Sequence, residues 1–265
     1  SRSRSRSLAV YLTTTRRERP SPNPNPNLHR PNPDPNLKAK PKPPATGTMA
    51  TEHPLQVYLK TLTPAPSAPE RAEELGRLAD YIAGKVAAGA PPKLNFICTH
   101  NSRRSHMGAI AAAGAGVAYS VPGLETFSGG TSATAFFPAA VAAVEKAGCG
   151  VSVVGYEDAE QTNPTYEVDF GGAAPMTCFS KVYDDFANPN ADFAAILVCN
   201  SADAACPLVP GAEARFPIKY EDPKVSDDKG DEAQAAAYEG RFQQICEEML
   251  WVMARVAEAT AGAEA

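Results

Sequence analysis

Two short apolar runs dictate most of what this chain can become. Leu94-Asn95-Phe96-Ile97 ends on Cys98, and Phe193-Ala194-Ala195-Ile196-Leu197-Val198 ends on Cys199. Neither run alternates polar with apolar residues over its length, so each predicts a strand covered on both faces. Helix-like stretches surround them. Ser67-Ala68-Pro69-Glu70 offers a cap candidate, an early proline and a first-turn acid. Leu75, Leu78, Ile82 and Val86 follow at helical spacing, and the pattern stops near Gly89 and Pro91-Pro92. Met107 to Val117 and Ala133 to Ala147 read as further helices, the second ending at Gly148. A last helix over about Asp231 to Ala259 sets Tyr238, Phe242, Ile245, Met249, Val252 and Val256 on one face. Weaker strand signals fall at Glu125 to Ser128, Val151 to Val154, Lys181 to Tyr183 and Arg215 to Tyr220. Strands alternating with helices predict an α/β fold of three layers, α/β/α, with a small central parallel sheet. In such folds the chemistry sits at the carboxyl ends of the strands. Both Cys98 and Cys199 fall there.

Charge divides the chain unevenly. Residues 1–48 hold ten Lys/Arg against Glu18 and Asp34, a net of +8, and ten of the 25 prolines; the rest carries a net of −13. The Ser/Arg and Pro/Asn alternation of that first segment offers almost nothing apolar to bury. It predicts a disordered basic tail, followed by a single domain over 49–265 that starts at Met49. An organelle transit segment is the other reading of the tail, since it is rich in Arg and Ser and poor in acids. The acidic body excludes a nucleic-acid-binding core, and no apolar run approaches the roughly 18 residues of a membrane span. The six cysteines are scattered and no secretory signal precedes them, which predicts reduced thiols in a cytoplasmic protein.

The strongest chemical signal is Cys98-Thr99-His100-Asn101-Ser102-Arg103-Arg104-Ser105, lying between a strand and a helix. A loop of this length can turn successive backbone N–H groups toward one tetrahedral oxyanion beside a helix N-terminus. Arg104 would add planar, two-pronged donors. A cysteine in such a positive field is a candidate thiolate nucleophile. Ser105 would donate to its sulfur, and Asn101 would tie the loop to backbone groups. His100 reads as a turn residue tolerating left-handed geometry rather than as a catalyst.

Two further patterns stay ambiguous on their own. Cys199 and Cys206 stand seven positions apart beyond the second strand, either as a redox pair or as two buried thiols flanking a loop. Zinc is excluded for want of two further ligands nearby. Asp222-Pro223 is a turn in most proteins, but a carboxyl held over an oxyanion cradle would serve as a general acid.

The segment from Cys98 to Ser105, preceded by Leu94 to Ile97 and followed by His106-Met107, resembles the active-site loop of the low-molecular-weight protein tyrosine phosphatase superfamily, which includes the thioredoxin-coupled arsenate reductases. The pattern C-x-H-N-S-x-R-S-x-M is similar to the reductase branch, whereas the phosphatases usually carry Gly at the position of His100 and Cys at that of Arg103. Ser128-Gly129-Gly130-Thr131 resembles the segment after the family's first helix. The likeness runs over roughly 93–258, with an apparent insertion around 150–190. It implies that Thr99, His100, Asn101, Ser102, Arg103, Arg104 and Ser105 surround the substrate, that Cys98 is the nucleophile, that Asp222 is the general acid, and that Cys199 and Cys206 form a disulfide relay. The implied activity is reduction of arsenate to arsenite with a thioredoxin-like reductant. Hydrolysis of a phosphomonoester or protein phosphotyrosine through a cysteinyl-phosphate is the alternative, and a non-catalytic oxyanion- or phosphoprotein-binding protein is a third. None of the three implies a tightly bound cofactor or a metal.

Overall fold

The computed structural model describes residues 51–205 and 208–261. The basic segment 1–48 and Cys206 lie outside the described residues. Two helices come first, α1 (Pro54–Thr61) and α2 (Arg71–Ala87). The sheet-forming part follows as β1 (Lys93–Cys98), α3 (Arg104–Ala118), β2 (Glu125–Gly130) and α4 (Pro138–Lys146). Next come β3 (Gly150–Tyr156), β4 (Pro164–Asp169) and β5 (Met176–Cys178), then β6 (Phe193–Leu197), α5 (Asn200–Ala205) and β7 (Ala212–Phe216). A 3-10 turn (Pro223–Ser226) leads into α6 (Asp231–Ala261).

The central sheet is parallel throughout, with strand order β2-β1-β6-β7, and helices flank it. Leu94 stands between Thr126 and Ala194, and Ile97 between Gly129 and Leu197. The residues of β1 from Leu94 onward and all of β6 are buried, as the unbroken apolar runs require. The chain leaves β1 for β2 on one side and returns to β6 on the other. The gap at the carboxyl ends of β1 and β6 is therefore the topological switch point, where doubly wound sheets open a crevice for a ligand. Cys98 ends β1 and Cys199 lies just past β6.

Local chemistry explains the helices. Glu73 and Glu74 sit in the first turn of α2 and Lys85 in its last, both favourable to the helix dipole, and Gly89 takes φ +66° just beyond its end. Proline occupies the first turn of α1 and of α4. Most of α3 is buried, and its small residues permit that: a Cβ on Gly108 would come within 2.5 Å of the Phe96 ring. Tyr238, Phe242, Ile245, Met249, Val252 and Val256 are all buried along α6, which packs on α2, α3 and α4.

The region 150–178 forms a separate antiparallel sheet, β3-β4-β5. Several elements depart from the sequence reading. Helix α2 starts at Arg71, not at Ser67, because the Ser67 N–H and hydroxyl are both spent on the Glu248 carboxylate. Helix α4 starts at Pro138 rather than Ala133, since Phe137 is extended and Phe136 is buried ahead of the helix. Residues 181–183 make a single parallel bridge from Val182 to Gly130 instead of a strand. Strand β7 is shifted toward the N-terminus and ends before Pro217, which has no N–H to give to a ladder. Residues 200–205, read as loop, are helical.

Candidate active site

The turn from Cys98 to Arg103 is built by the segments around it. Its carbonyls are occupied from outside: Cys98 O accepts from Thr131 N (3.1 Å) and Thr99 O from Ser132 N (2.8 Å) and Thr131 Oγ1 (3.0 Å). His100 O accepts from Ser180 Oγ (3.0 Å) and Thr134 Oγ1 (3.2 Å). By contrast, among the described residues the backbone N–H groups of residues 99–102 have no protein acceptor. A turn whose acceptors are satisfied and whose donors remain is suited to an anion.

The left-handed residue is Asn101, at φ +44°, not His100. Its side chain is fully buried and bonded at both ends: Oδ1 accepts from Lys181 N (2.9 Å), and Nδ2 donates to Ser105 Oγ (2.9 Å). Those bonds hold a backbone conformation that asparagine tolerates better than most side chains. Ser105 Oγ lies 3.1 Å from Cys98 Sγ, so the hydroxyl reaches the sulfur from the first turn of α3.

Arg104 opens α3 and points its fork across the crevice. Nη1 donates to Tyr220 O (2.9 Å) and Nη2 to Asp222 Oδ2 (2.5 Å), while Nε is buried without a hydrogen-bond partner among the described residues. The Asp222 Oδ1 atom accepts from Lys224 N (3.2 Å) and caps the 3-10 turn that Pro223 begins. The Asp-Pro pair thus fixes one carboxylate oxygen in its own turn and lays the other on Arg104.

The Arg103 side chain turns away from the 98–103 turn toward α6. Its guanidinium stacks over Phe137 (4.1 Å), and it donates to the Tyr238 hydroxyl (2.7 Å) and to Asp227 Oδ2 (3.2 Å). That side chain fastens the loop to α6 and is not available to a substrate; only its backbone remains beside one. His106 is fully buried, stacked 4.2 Å from Phe136, with Nδ1 3.1 Å from Ser128 Oγ. Burial pushes its imidazole well below the usual range, which fits a neutral packing role.

Cys199 sits at the foot of α5. Its Sγ accepts from Ala202 N (3.3 Å) and lies 3.5 Å from Thr99 Oγ1, which belongs to the residue next to Cys98. A cavity of about 730 Å³ opens along Arg104, Cys199, Lys219, Tyr220, Asp222 and Val225. The second cysteine and the carboxylate–arginine pair therefore share one wall. Asp203 latches α5 to the sheet edge through Arg215 and through Lys219 (2.7 Å).

Three more buried cysteines lie among the described residues, Cys149, Cys178 and Cys246. Burial pushes the Cys149 and Cys178 thiols up to about 12, and Cys246 is raised as well. A thiol held protonated is a poor nucleophile. Among the described residues no three His, Cys, Asp or Glu side chains gather as a metal site requires, and no helix is long and apolar enough to cross a membrane. Tyr220, Ser180 and Lys181 are contributors that sequence reasoning missed. Two of them act through backbone groups, which leave no mark on residue identity.

An α/β chain with a Cys-x5-Arg turn at the switch point of a parallel sheet is what fold and site define. Several solved structures are similar to this chain. An arsenate reductase in a phosphate-binding state is 21% identical and matches 62% of this chain and 98% of its own, with a TM-score of 0.38. A low-molecular-weight phosphotyrosine phosphatase from Vibrio cholerae O395 is 14% identical over 60% of this chain and 93% of its own, TM-score 0.39. A thioredoxin-dependent arsenate reductase from Corynebacterium glutamicum is 20% identical over 79% and 82%, TM-score 0.31. No protein-family model matches the sequence, and no curated protein is significantly similar to it.

Proposed function

We propose that this protein is a cysteine-nucleophile enzyme for tetrahedral oxyanions and that it reduces arsenate to arsenite. The observation that carries this reading is the position of Cys199, against Thr99 and on the same cavity wall as Arg104 and Asp222. A second thiol against the residue that follows the first is what separates reduction from simple displacement.

In the proposed cycle, Arg104 and the N–H groups of the 99–104 turn hold arsenate, with Arg104 Nη2 exchanging Asp222 for an arsenate oxygen. Cys98 Sγ attacks arsenic and forms an S–As bond. One As–O bond breaks, and Asp222 protonates the departing oxygen, so that water leaves. The Cys199 thiolate then attacks Cys98 Sγ. An S–S bond forms, the S–As bond breaks, and its electron pair stays on arsenic, which departs as arsenite. Two electrons have passed from two cysteine sulfurs to one arsenic. Cys206 next attacks Cys199 Sγ, releases Cys98 and leaves a Cys199–Cys206 disulfide. A thioredoxin-like dithiol returns that pair to thiols.

One observation favours a second reading. The cavity of about 730 Å³ is several times what a bare oxyanion fills, and Val225 gives it a well-exposed apolar rim. Such a mouth suits a phosphomonoester bearing an organic group, which Cys98 would cleave through a cysteinyl-phosphate with Asp222 as acid and then base.

Cys199→Ser separates the two. If reduction is the activity, the native protein oxidises reduced thioredoxin only when arsenate is present. The variant then loses that turnover while its Cys98 still alkylates. A native protein that hydrolyses an aryl phosphate rapidly, shows no arsenate-dependent thiol oxidation and is unaffected by Cys199→Ser would overturn the reductase reading in favour of the hydrolase.

A further inference from the structure

The antiparallel sheet of residues 150–178 is joined to the turn after Cys98 by a run of hydrogen bonds. The turn joining β3 to β4 is organised by Asp158, whose carboxylate accepts from Thr162 N (2.7 Å), from the Thr162 hydroxyl and from Asn163 N (3.4 Å). Glu157 N donates to Asn163 O (2.9 Å), closing the hairpin. The side chain of Asn163 is buried and faces the strandless residues after β5. Its Nδ2 donates to Ser180 O (2.8 Å), and its Oδ1 accepts from Ser180 N (3.1 Å). One amide thus does for Ser180 what a neighbouring strand would do for a strand residue.

What Asn163 holds is itself attached to the oxyanion turn. Ser180 Oγ accepts from Thr134 N (2.8 Å) and donates to His100 O. The next N–H, that of Lys181, donates to Asn101 Oδ1, and Asn101 Nδ2 reaches Ser105 Oγ beside Cys98 Sγ. Asn163, Ser180, Lys181, Asn101 and Ser105 are all buried. A left-handed non-glycine residue persists only where its surroundings over-determine it, and for Asn101 those surroundings include the pair of bonds that Asn163 makes.

We propose that Asn163 is a positioning residue for the oxyanion turn, acting through Ser180 and Lys181 to keep Asn101 left-handed and the N–H groups of residues 99–102 aligned. The proposal rests on the reading of that turn as an oxyanion site. In it the 150–178 sheet braces the site from outside, without touching substrate.

The test uses the full chain and inorganic phosphate as probe, at one fixed pH. Cys98 alkylation by iodoacetate is followed by peptide mass, and the phosphate concentration that halves it is recorded beside a thermal melt. A misplacement near 1 Å costs on the order of 100-fold in a preorganised site. Asn163→Ala, which removes both bonds at one remove, is expected to raise the half-protecting concentration about tenfold while still melting cooperatively. In an Asn101→Ala background the same substitution is expected to add less than about twofold, because residues in one network do not act independently. Asn163→Asp keeps the acceptor for Ser180 N but sets oxygen against oxygen at Ser180 O. It is expected to weaken protection as well, and it carries the test if the alanine variant does not fold. A folded Asn163 variant protected at native phosphate concentrations overturns the proposal, as do effects that multiply with Asn101→Ala. If phosphate fails to protect Cys98 in the native protein, the oxyanion reading itself falls and this proposal falls with it. Protection in the native protein with unchanged variants removes only the role of Asn163.

Discussion

Gly130→Ala puts a methyl group where the turn after Cys98 has no room for one. A Cβ at this position would stand 2.4 Å from Ser132 O, 2.6 Å from Asn101 N and 2.9 Å from His100 C, all of them backbone atoms. Ordinary contact begins near 3.4 Å, so the Asn101 amide has to retreat by about 0.8 Å, a distance that costs on the order of tens of fold in a preorganised site. Gly130 has little freedom to move instead, because its N–H donates to Lys181 O and its carbonyl accepts from Tyr183 N, each at 2.9 Å. The expected outcome is a loss of about 30-fold or more in arsenate-dependent thiol oxidation and in aryl-phosphate hydrolysis, whichever the native protein performs, with a weaker grip on phosphate in the alkylation assay. Gly114→Ala is the control. Its nearest neighbour is the tip of the Leu55 side chain at 2.9 Å, a methyl that can swing aside, so activity should stay within about twofold of native. A folded Gly130→Ala protein that retains native activity would refute the steric reasoning and, with it, the placement of the anion beside residues 99–102.

Two other perturbations probe the frame around the site. Glu248 is 1% exposed at its side chain and bonds to Arg71 Nη2 at 2.6 Å, so Arg71→Met should lower the free energy of unfolding by roughly 3–5 kcal/mol in urea at pH 7. Burial pushes the Glu248 carboxyl up, yet hydrogen bonds from Arg71 and Ser67 outweigh it and leave the group below its ordinary value of 4.5. The native protein binds fewer protons at Glu248 than the unfolded chain does, so the contribution is complete at neutral pH and fades as pH drops below about 4.5 and through the lowered folded value. Urea midpoints measured from pH 7 to 3 should show that decline, and Arg71→Met should flatten it; parallel profiles would count against the assignment. Asp203→Asn removes the latch on Arg215 and Lys219. Cys199 should then alkylate several-fold faster with Cys98 unchanged, and an unaltered Cys199 rate would mean that α5 is held by other contacts.

The parts of this molecule legible in its sequence are those where one local cause dominates. Strands β1 and β6 are covered on both faces, so their apolar runs stand out, and the turn between β1 and α3 is short enough for residue types and spacing to specify it. Helix α1 leaves no such signal because only Leu55, Gln56 and Leu59 are buried along it, too few to make a period. Strands β4 and β5 are short and bury one residue each, Val168 and Cys178, too few to make a visible alternation. Arg103 shows what local pattern leaves out: its side chain is claimed by Phe137 and by Tyr238 on a helix far along the chain. No local pattern contains that information. Asn101 and His100 divide the same way: both tolerate a left-handed turn, and the choice between them is made by Lys181, eighty residues away.

Helices α1 and α2 bear on how this protein can be divided. The motif-bearing part begins at Lys93, which makes that residue an inviting place to start a minimal catalytic fragment. Such a cut would be misplaced. Leu75, Leu78 and Ile82 of α2 are completely buried, and α2 packs on α6; removing them would uncover a greasy stripe on the helix that also holds Tyr238 against Arg103. The same cut would strip Glu248 of Arg71 and Ser67 and strand a carboxylate in the interior. A fragment trimmed at Lys93 would therefore be sticky and poorly soluble, and its failure to work would say nothing about the chemistry at Cys98.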